Sequence, residues 1–471
     1  MSEVKTAPDL RENKMGSMPL GKLLFNMALP LVLSMLVQAL YNVVDSVYVA
    51  RYSQNAVTAL SLAFPIQNLQ IGFATGAAVG MNSLLSKSLG EGNQKRANQA
   101  AGNGIFLTLV FVAVFMLFGF FGAGAYYNMQ NISAETAKAG TDYTSICCIY
   151  TGGVFIGILC ERLLQASGKT IYTMFTQGTG AVLNIILDPL FIFGFEPLGI
   201  PEMGAAGAAV ATVIGQWVGA VMGIVFNLKK NTDVQFKLKY LRPDKEIMGK
   251  ILAVGVPSII MMAIGSVMNF GMNQIFLGFE GVGETASAVF GIYFKLQSFF
   301  FMPLFGINNA AISILAFNYG ARQPKRITGT LKRTVGTAMV IMLLGLAVFQ
   351  LIPNVLMGFF STSADAAGGE FVAMGISALR IISLMFPMAA VGIALGGAAF
   401  PAMGNGLYST ITSLCRQLIV LLPAAYLLSL TGDVHAVWWS FPIAEVVSMA
   451  ITLFLYNKVY RSKIKPLFAQ E

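Results

Sequence analysis

The sequence predicts an all-α integral membrane protein of about twelve transmembrane helices, arranged as two parallel-repeat six-helix bundles around a central cleft. Three observations predict it. Hydrophobic residues make up 56% and charged residues 11% of the 471-residue chain, with a mean hydropathy of +0.70, whereas soluble domains carry roughly one-quarter charged residues. Apolar segments of about 20 residues, the length that crosses a bilayer, begin near Leu24, Ala56, Ala97, Ala139, Ile171, Gly204, Ile247, Glu284, Ile327, Val372, Leu407 and Val437. The second half of the chain then repeats the first. The 49 glycines and 17 prolines fit this fold, because neighbouring helices in a membrane re-satisfy backbone groups that such residues free.

The net charge of +9 raises nucleic acid as a partner, and the placement of the basic residues argues against it. They sit in loops between apolar spans, with no basic strip interleaved with aromatics. Lys87, Lys95, Arg96, Lys169, Lys229, Lys230, Arg322, Lys325, Arg326, Lys332 and Arg333 fall in even-numbered loops, while the odd-numbered loops hold Arg51 and Lys138. This bias predicts a cytoplasmic location for both termini and the even loops, in the bacterial inner membrane. Cys147, Cys148, Cys160 and Cys415 lie inside apolar segments at spacings that match neither a metal site nor a redox pair. No metal or other cofactor is expected. His435, the one histidine, has no catalytic constellation in the sequence around it, so an enzyme is not expected.

Ala28, Pro30 and Asn42 recur as Gly255, Pro257 and Asn269, a shift of 257 − 30 = 227 residues. Gly76, Ser83, Gly90, Lys95 and Arg96 recur as Gly306, Ser313, Gly320, Lys325 and Arg326, a shift of 306 − 76 = 230. Six spans per unit give both copies the same orientation, the parallel-repeat plan of transporters. The predicted boundaries are a cytoplasmic N-terminal segment (1–22), an N-lobe (23–228), a cytoplasmic linker (229–250), a C-lobe (251–458) and a cytoplasmic tail (459–471). Two complete lobes in one chain predict a protein that works as a monomer in membrane lipid.

Acidic residues deep in a span cost roughly 2.5 to 3.5 kcal/mol on insertion scales and are functional candidates by default. Asp45 ends a polar stripe on the first helix that includes Gln38 and Asn42, and Asp188 on the fifth helix follows Asn184 and Gln177. Two carboxylates at similar depth in low dielectric suit the binding of a proton or another cation. The alternatives are that Asp45 caps the outer helix end and that Asp188 serves backbone groups freed by Pro189. The second half has Met272 where the first has Asp45. It offers Met268, Met272, Phe294 and Phe305 as a possible apolar cleft, since methionine and phenylalanine make adaptable surfaces for varied ligands. Packing or lipid contact is the competing reading of each. Glu161, Arg162, Lys295, Arg380, Arg416 and Glu445 receive no role, and the three basic residues of the second half are read as reaching for the interface.

The twelve-span plan, the stretch from Asn184 to Gly194 (NIILDPLFIFG), the stretch from Leu164 to Gly168 (LQASG) and the small-residue run Gly204–Thr212 resemble the multidrug and toxic compound extrusion (MATE) family. Asp45 in YNVVDS, together with Asn184 and Asp188, is similar to its DinF-like and MepA-like branch. The resemblance implies an antiporter in which H⁺ or Na⁺ drives export of amphiphilic, often cationic, drugs by a rocker-switch. It also implies a cation site of Asp45, Asn184, Asp188 and Thr212. A lipid-linked oligosaccharide flippase of the same superfold is the alternative function.

Overall fold

The computed structural model describes residues 13–129, 132–360 and 369–469. The calls on 1–12 and 470–471 at the ends of the predicted terminal segments, and on 361–368, lie outside the described residues. Twelve long helical elements follow one another: α1 (Leu20–Tyr52), α2 (Gln54–Gly90), α3 (Gln94–Phe121), α4 (Ala134–Ile149 and Gly152–Ala166), α5 (Thr170–Ile192), α6 (Gly204–Lys230), α7 (Lys245–Leu277), α8 (Gly283–Gly320), α9 (Pro324–Leu351), α10 (Glu370–Ser383 and Phe386–Ala402), α11 (Gly406–Ser429) and α12 (Val434–Phe468). Among the described residues, nine helices are long and apolar enough to cross a membrane, and up to 11 when each bent pair counts as one span. The twelfth element, α2, is 37 residues long and carries Gln67, Asn68 and Gln70, which lower its hydropathy. Two of these are satisfied within the bundle. Gln67 Nε2 donates to the Tyr143 hydroxyl at 2.9 Å, and Gln70 Nε2 donates to Thr151 Oγ1 at 3.1 Å.

Local chemistry marks the boundaries. Ser53 is extended and links α1 to α2 in a single residue, its hydroxyl accepting from the Ala56 amide at 3.0 Å, so one side chain caps the second helix as the first ends. Asn93 caps α3, and Asp244 caps α7 through the Glu246 and Ile247 amides. The linker between bundles, 231–244, is laid along α3. Gln94 Nε2 donates to the Asp233 carbonyl at 2.7 Å, while Asn98 and Asn103 accept from the Gln235 and Asp244 amides, each at 2.8 Å.

The two halves repeat in detail. The fourth helix of each is bent, α4 by 44° and α10 by 47°. Gly76 of α2 packs on α7 where a Cβ would lie 2.6 Å from the Gly255 carbonyl oxygen, and its repeat counterpart Gly306 of α8 packs on α1 where a Cβ would lie 2.9 Å from the Val32 nitrogen.

Hydrophobic clusters show where the bundles meet. Near the basic loops, Met15, Leu23, Leu24, Met27 and Leu31 share a cluster with Ile307, Ala310, Ile314 and Phe317, and Met81, Leu84 and Leu85 share one with Ile247 and Ile251. Toward the opposite ends each half has a core of its own. Val49, Ala63, Tyr143, Ile192 and Ala208 belong to one, and Phe276, Phe290, Tyr293, Phe349 and Trp438 to the other. The bundles therefore close on each other at the basic end. A short helix, Lys14–Ser17, reinforces that closure: Asn318 Nδ2 and Arg326 Nη2 donate to the Met15 carbonyl at 3.1 and 2.8 Å, Arg326 Nη2 also reaches the Met18 carbonyl at 2.9 Å, and Lys14 lies against Gly168 of the first half.

Candidate functional site

Asp188 and Asn184 share one face of α5, one turn apart, and α5 packs against both α1 and α6. Asp188 is fully buried and Asn184 is 3% exposed. Asn184 Nδ2 donates to Asp188 Oδ1 at 3.1 Å and to Thr212 Oγ1 of α6 at 3.2 Å. Asp45, half-buried on α1, lies within electrostatic range of Asp188, as does Tyr41 one turn before it. Among the described residues, three acceptor oxygens at this site have no hydrogen-bond partner: Asp45 Oδ1, Asp188 Oδ2 and Asn184 Oδ1. An unpaired buried acceptor costs about 1–3 kcal/mol, and three of them gather at this site.

The capping alternative for Asp45 loses its footing here. α1 runs on to Tyr52, so Asp45 stands about two turns inside the helix and does not cap it. Asp188 accepts from the Asn184 side chain. Of the polar stripe, Gln38 is half-buried on α1, whereas the side chain of Asn42 lies outside the described residues. Gln177 belongs to a different cluster: its Nε2 donates to Glu161 Oε2 at 2.7 Å, and Thr176 Oγ1 donates to Glu161 Oε1 at 3.4 Å. Seven residues separate Gln177 from Asn184, and that distance along α5 carries it to a carboxylate on α4.

The residues offered as an apolar cleft divide. Met268 and Met272 are buried in the core of the C-terminal bundle, Met272 completely, and Phe294 packs against that core. Phe305 is 48% exposed and lines a cavity of ≈ 190 Å³ between the bundles, with Met261 and Met262 of α7. Polar groups complete its wall, among them Asn308, Thr412, Arg416 and, from α4, Arg162. Sequence reasoning left Arg416 unassigned because an arginine that reaches for lipid headgroups and one that faces a cavity read alike.

Two repeated helical bundles, closed at one end around an interior cavity and carrying a buried acidic cluster in one half, define a multi-pass membrane transport protein. The chain belongs to the MatE family, whose model matches residues 30–190 and 257–427. The two matches begin at Pro30 and Pro257, the pair that sets the repeat offset of 227. The chain is 24% identical over 436 residues to the multidrug export protein MepA of Staphylococcus haemolyticus strain JCSC1435, covering 92% of each chain. It is 24% identical over 444 residues to that of Staphylococcus aureus strain MSSA476, covering 93% of this chain and 94% of the relative. Among solved structures it superposes on a MATE crystallised with MaL6 with a TM-score of 0.88 at 24% identity, over 97% of this chain and 98% of that one. It also superposes on the outward-facing conformation of a multidrug resistance MATE transporter, with a TM-score of 0.87 at 23% identity, over 99% of this chain and 100% of that one. The predicted all-helical, two-bundle fold is thereby established.

Proposed function

We propose that this protein is a cation-coupled antiporter that exports amphiphilic, often cationic, compounds across the cytoplasmic membrane, with H⁺ or Na⁺ moving inward. Its MatE membership and relatives named as multidrug export proteins support the exporter over the lipid-linked oligosaccharide flippase. The observation that carries the coupling is the group of unpartnered acceptor oxygens on Asp45, Asn184 and Asp188, held beside Thr212.

In this reading the lobes 23–228 and 251–458 rock about the linker 229–250, with the segments 1–22 and 459–471 cytoplasmic and the single chain acting as a monomer. With both carboxylates ionised the site concentrates two negative charges in low dielectric, and a cation relieves their repulsion. An ion shifts a conformational equilibrium only by its differential affinity for the two states. Coupling therefore requires that the geometry around Asp188 differ when the bundles part at the basic end. Phe305, Met261 and Met262 offer the substrate an adaptable apolar wall.

Everted membrane vesicles test the reading. Ethidium uptake should follow an imposed proton or sodium gradient and be lost in Asp188→Asn. Uptake that persists undiminished in that variant would remove the basis for N-lobe coupling.

A further inference from the structure

A second buried carboxylate lies in the other half of the molecule. Glu445, on α12, is 2% exposed, and among the described residues its Oε1 has no hydrogen-bond partner. It stands 4.0 Å from Arg416 Nη1 of α11, beyond hydrogen-bonding reach. The same oxygen rests against the backbone of α10 at Gly392, where a built Cβ would come within 3.2 Å of it. Arg416 sits in a π-helical segment of α11, Cys415–Val420, and α10 has another at Leu395–Ala399, shortly after Gly392. Such π-bulges are rare and concentrate at functional sites.

Arg416 has no role in the sequence reading. It lines the interbundle cavity, its side chain 27% exposed, and among the described residues its guanidinium makes no hydrogen bond. Arg162 lines the same cavity but is already bonded, Nη1 to Gln165 Oε1 at 2.9 Å. A ligand entering the cavity thus meets an unbonded guanidinium before it meets Glu445 behind it.

We propose that Arg416 anchors the anionic group, a carboxylate or sulfonate, of an amphiphilic substrate, and that Glu445 is the resident counter-ion which that group displaces. The inference rests on the exporter reading and names a substrate class for it: zwitterionic and anionic amphiphiles beside the cationic ones. A guanidinium offers five donors in a fork that matches a carboxylate bidentately, and a charge in a membrane interior requires a partner. Glu445 supplies the charge without the bonds, so an incoming carboxylate gains bonds that Glu445 does not make. The apolar body of the same ligand packs on Phe305, Met261 and Met262. This anchor, on α11, is separate from the acidic cluster on α1, α5 and α6, so the anchor and the coupling site lie in different bundles.

A matched pair of dyes tests this. Rhodamine B carries a free carboxylate, and rhodamine 3B is its ethyl ester with the same cationic chromophore. Binding of each to the purified full-length protein in nanodiscs is followed by fluorescence polarisation. Wild type should bind the acid about tenfold more tightly than the ester, a ratio set by one charge-assisted bidentate contact. Arg416→Gln should bring that ratio to within about twofold of unity, with acid binding weakened, and Glu445→Gln should raise the ratio severalfold by removing the competitor. Should Arg416→Gln not fold, Arg416→Lys keeps the charge without the fork and should retain only part of the preference. An acid-to-ester ratio that survives Arg416→Gln, or a wild type that binds both dyes equally, would overturn the inference while leaving the exporter intact. Saturable binding of neither dye would overturn the exporter reading itself.

Discussion

Gly90 at the end of α2 and Gly320 at the end of α8 are repeat counterparts that cross each other at the basic end of the molecule. A Cβ on Gly90 would run into the Phe317 carbonyl of α8, and one on Gly320 into the Lys87 carbonyl of α2. Each glycine is needed because the other's helix passes directly over it. The contact packs the two halves directly against each other at this end of the protein.

A side chain at either position should therefore part the bundles. Overpacking of this kind costs typically about 1–3 kcal/mol, enough to depopulate the closed arrangement by roughly fivefold to 150-fold. In a chain whose four cysteines are replaced, spin labels at Lys95 and Lys332, exposed on α3 and α9, report the separation. Gly90→Val should lengthen the mean distance. An unchanged distribution would mean that the glycine pair does not govern closure.

The strap at Met15 makes a second prediction. Arg326 holds it through two backbone carbonyls and bonds Asn318 Oδ1 through Nε at 3.0 Å. Removing a charged donor from such bonds costs about 1.5–3 kcal/mol. Arg326→Ala should increase proteolysis in the segment before Leu20 and lower the melting temperature. Arg326→Lys should fail to restore either, since an ammonium lacks the fork that spans three acceptors.

Lys14, in that strap and outside the membrane spans, gives a pH dependence. Burial, and secondarily Lys169, hold its ammonium below the ordinary lysine value. The sign follows from linkage: the folded state disfavours the charged form, so the penalty is fully present below the lowered folded value and fades as pH rises toward the ordinary lysine range. Lys14→Met should stabilise the protein at neutral pH by less than about 1 kcal/mol, since the group is only partly buried. In thermal melts the gap to wild type should narrow at alkaline pH. A gap that widens would reverse the assignment.

Much of the fold was legible in the sequence. The repeat between Pro30 and Pro257 and the spacing of the apolar segments are local or periodic signals, and both survive in the structure. α2 was legible by length more than by hydropathy, because Gln67 and Gln70 find partners on α4 that its own sequence does not reveal. The site was partly legible. Asn184 and Asp188 lie one turn apart on one helix and indeed bond, whereas Gln177, on the same stripe, turns to Glu161. Met272 in a core and Phe305 on a cavity could not be told apart, because apolar residues carry no mark of which face meets protein. Arg416 and Glu445 meet only through the packing of α11 on α12.

The Asn184 amide is the hinge of the acidic cluster, bonding Asp188 and Thr212 together. A proton competes with the bond that Asn184 Nδ2 donates to Asp188, so Asn184→Ala should leave proton affinity no weaker, whereas it should weaken an apparent sodium affinity severalfold by removing Asn184 Oδ1, one of the three unpartnered acceptors. Thr212→Ala should weaken sodium affinity less, since it leaves Asn184 Oδ1 in place. Rates measured against cation concentration check both, and equal effects on sodium affinity would mean that Thr212 contributes as much as Asn184 Oδ1.

The most direct test of the coupling site uses purified protein in liposomes loaded with a fluorescent organic cation. A pH gradient and a sodium gradient are imposed separately on wild type, Asp45→Asn and Asp188→Asn. The account predicts that one gradient drives transport in wild type, naming the coupling ion, and that both variants lose gradient-driven transport while still binding the dye. Gradient-driven transport at wild-type rates in both variants would contradict it and move the coupling site away from α1 and α5.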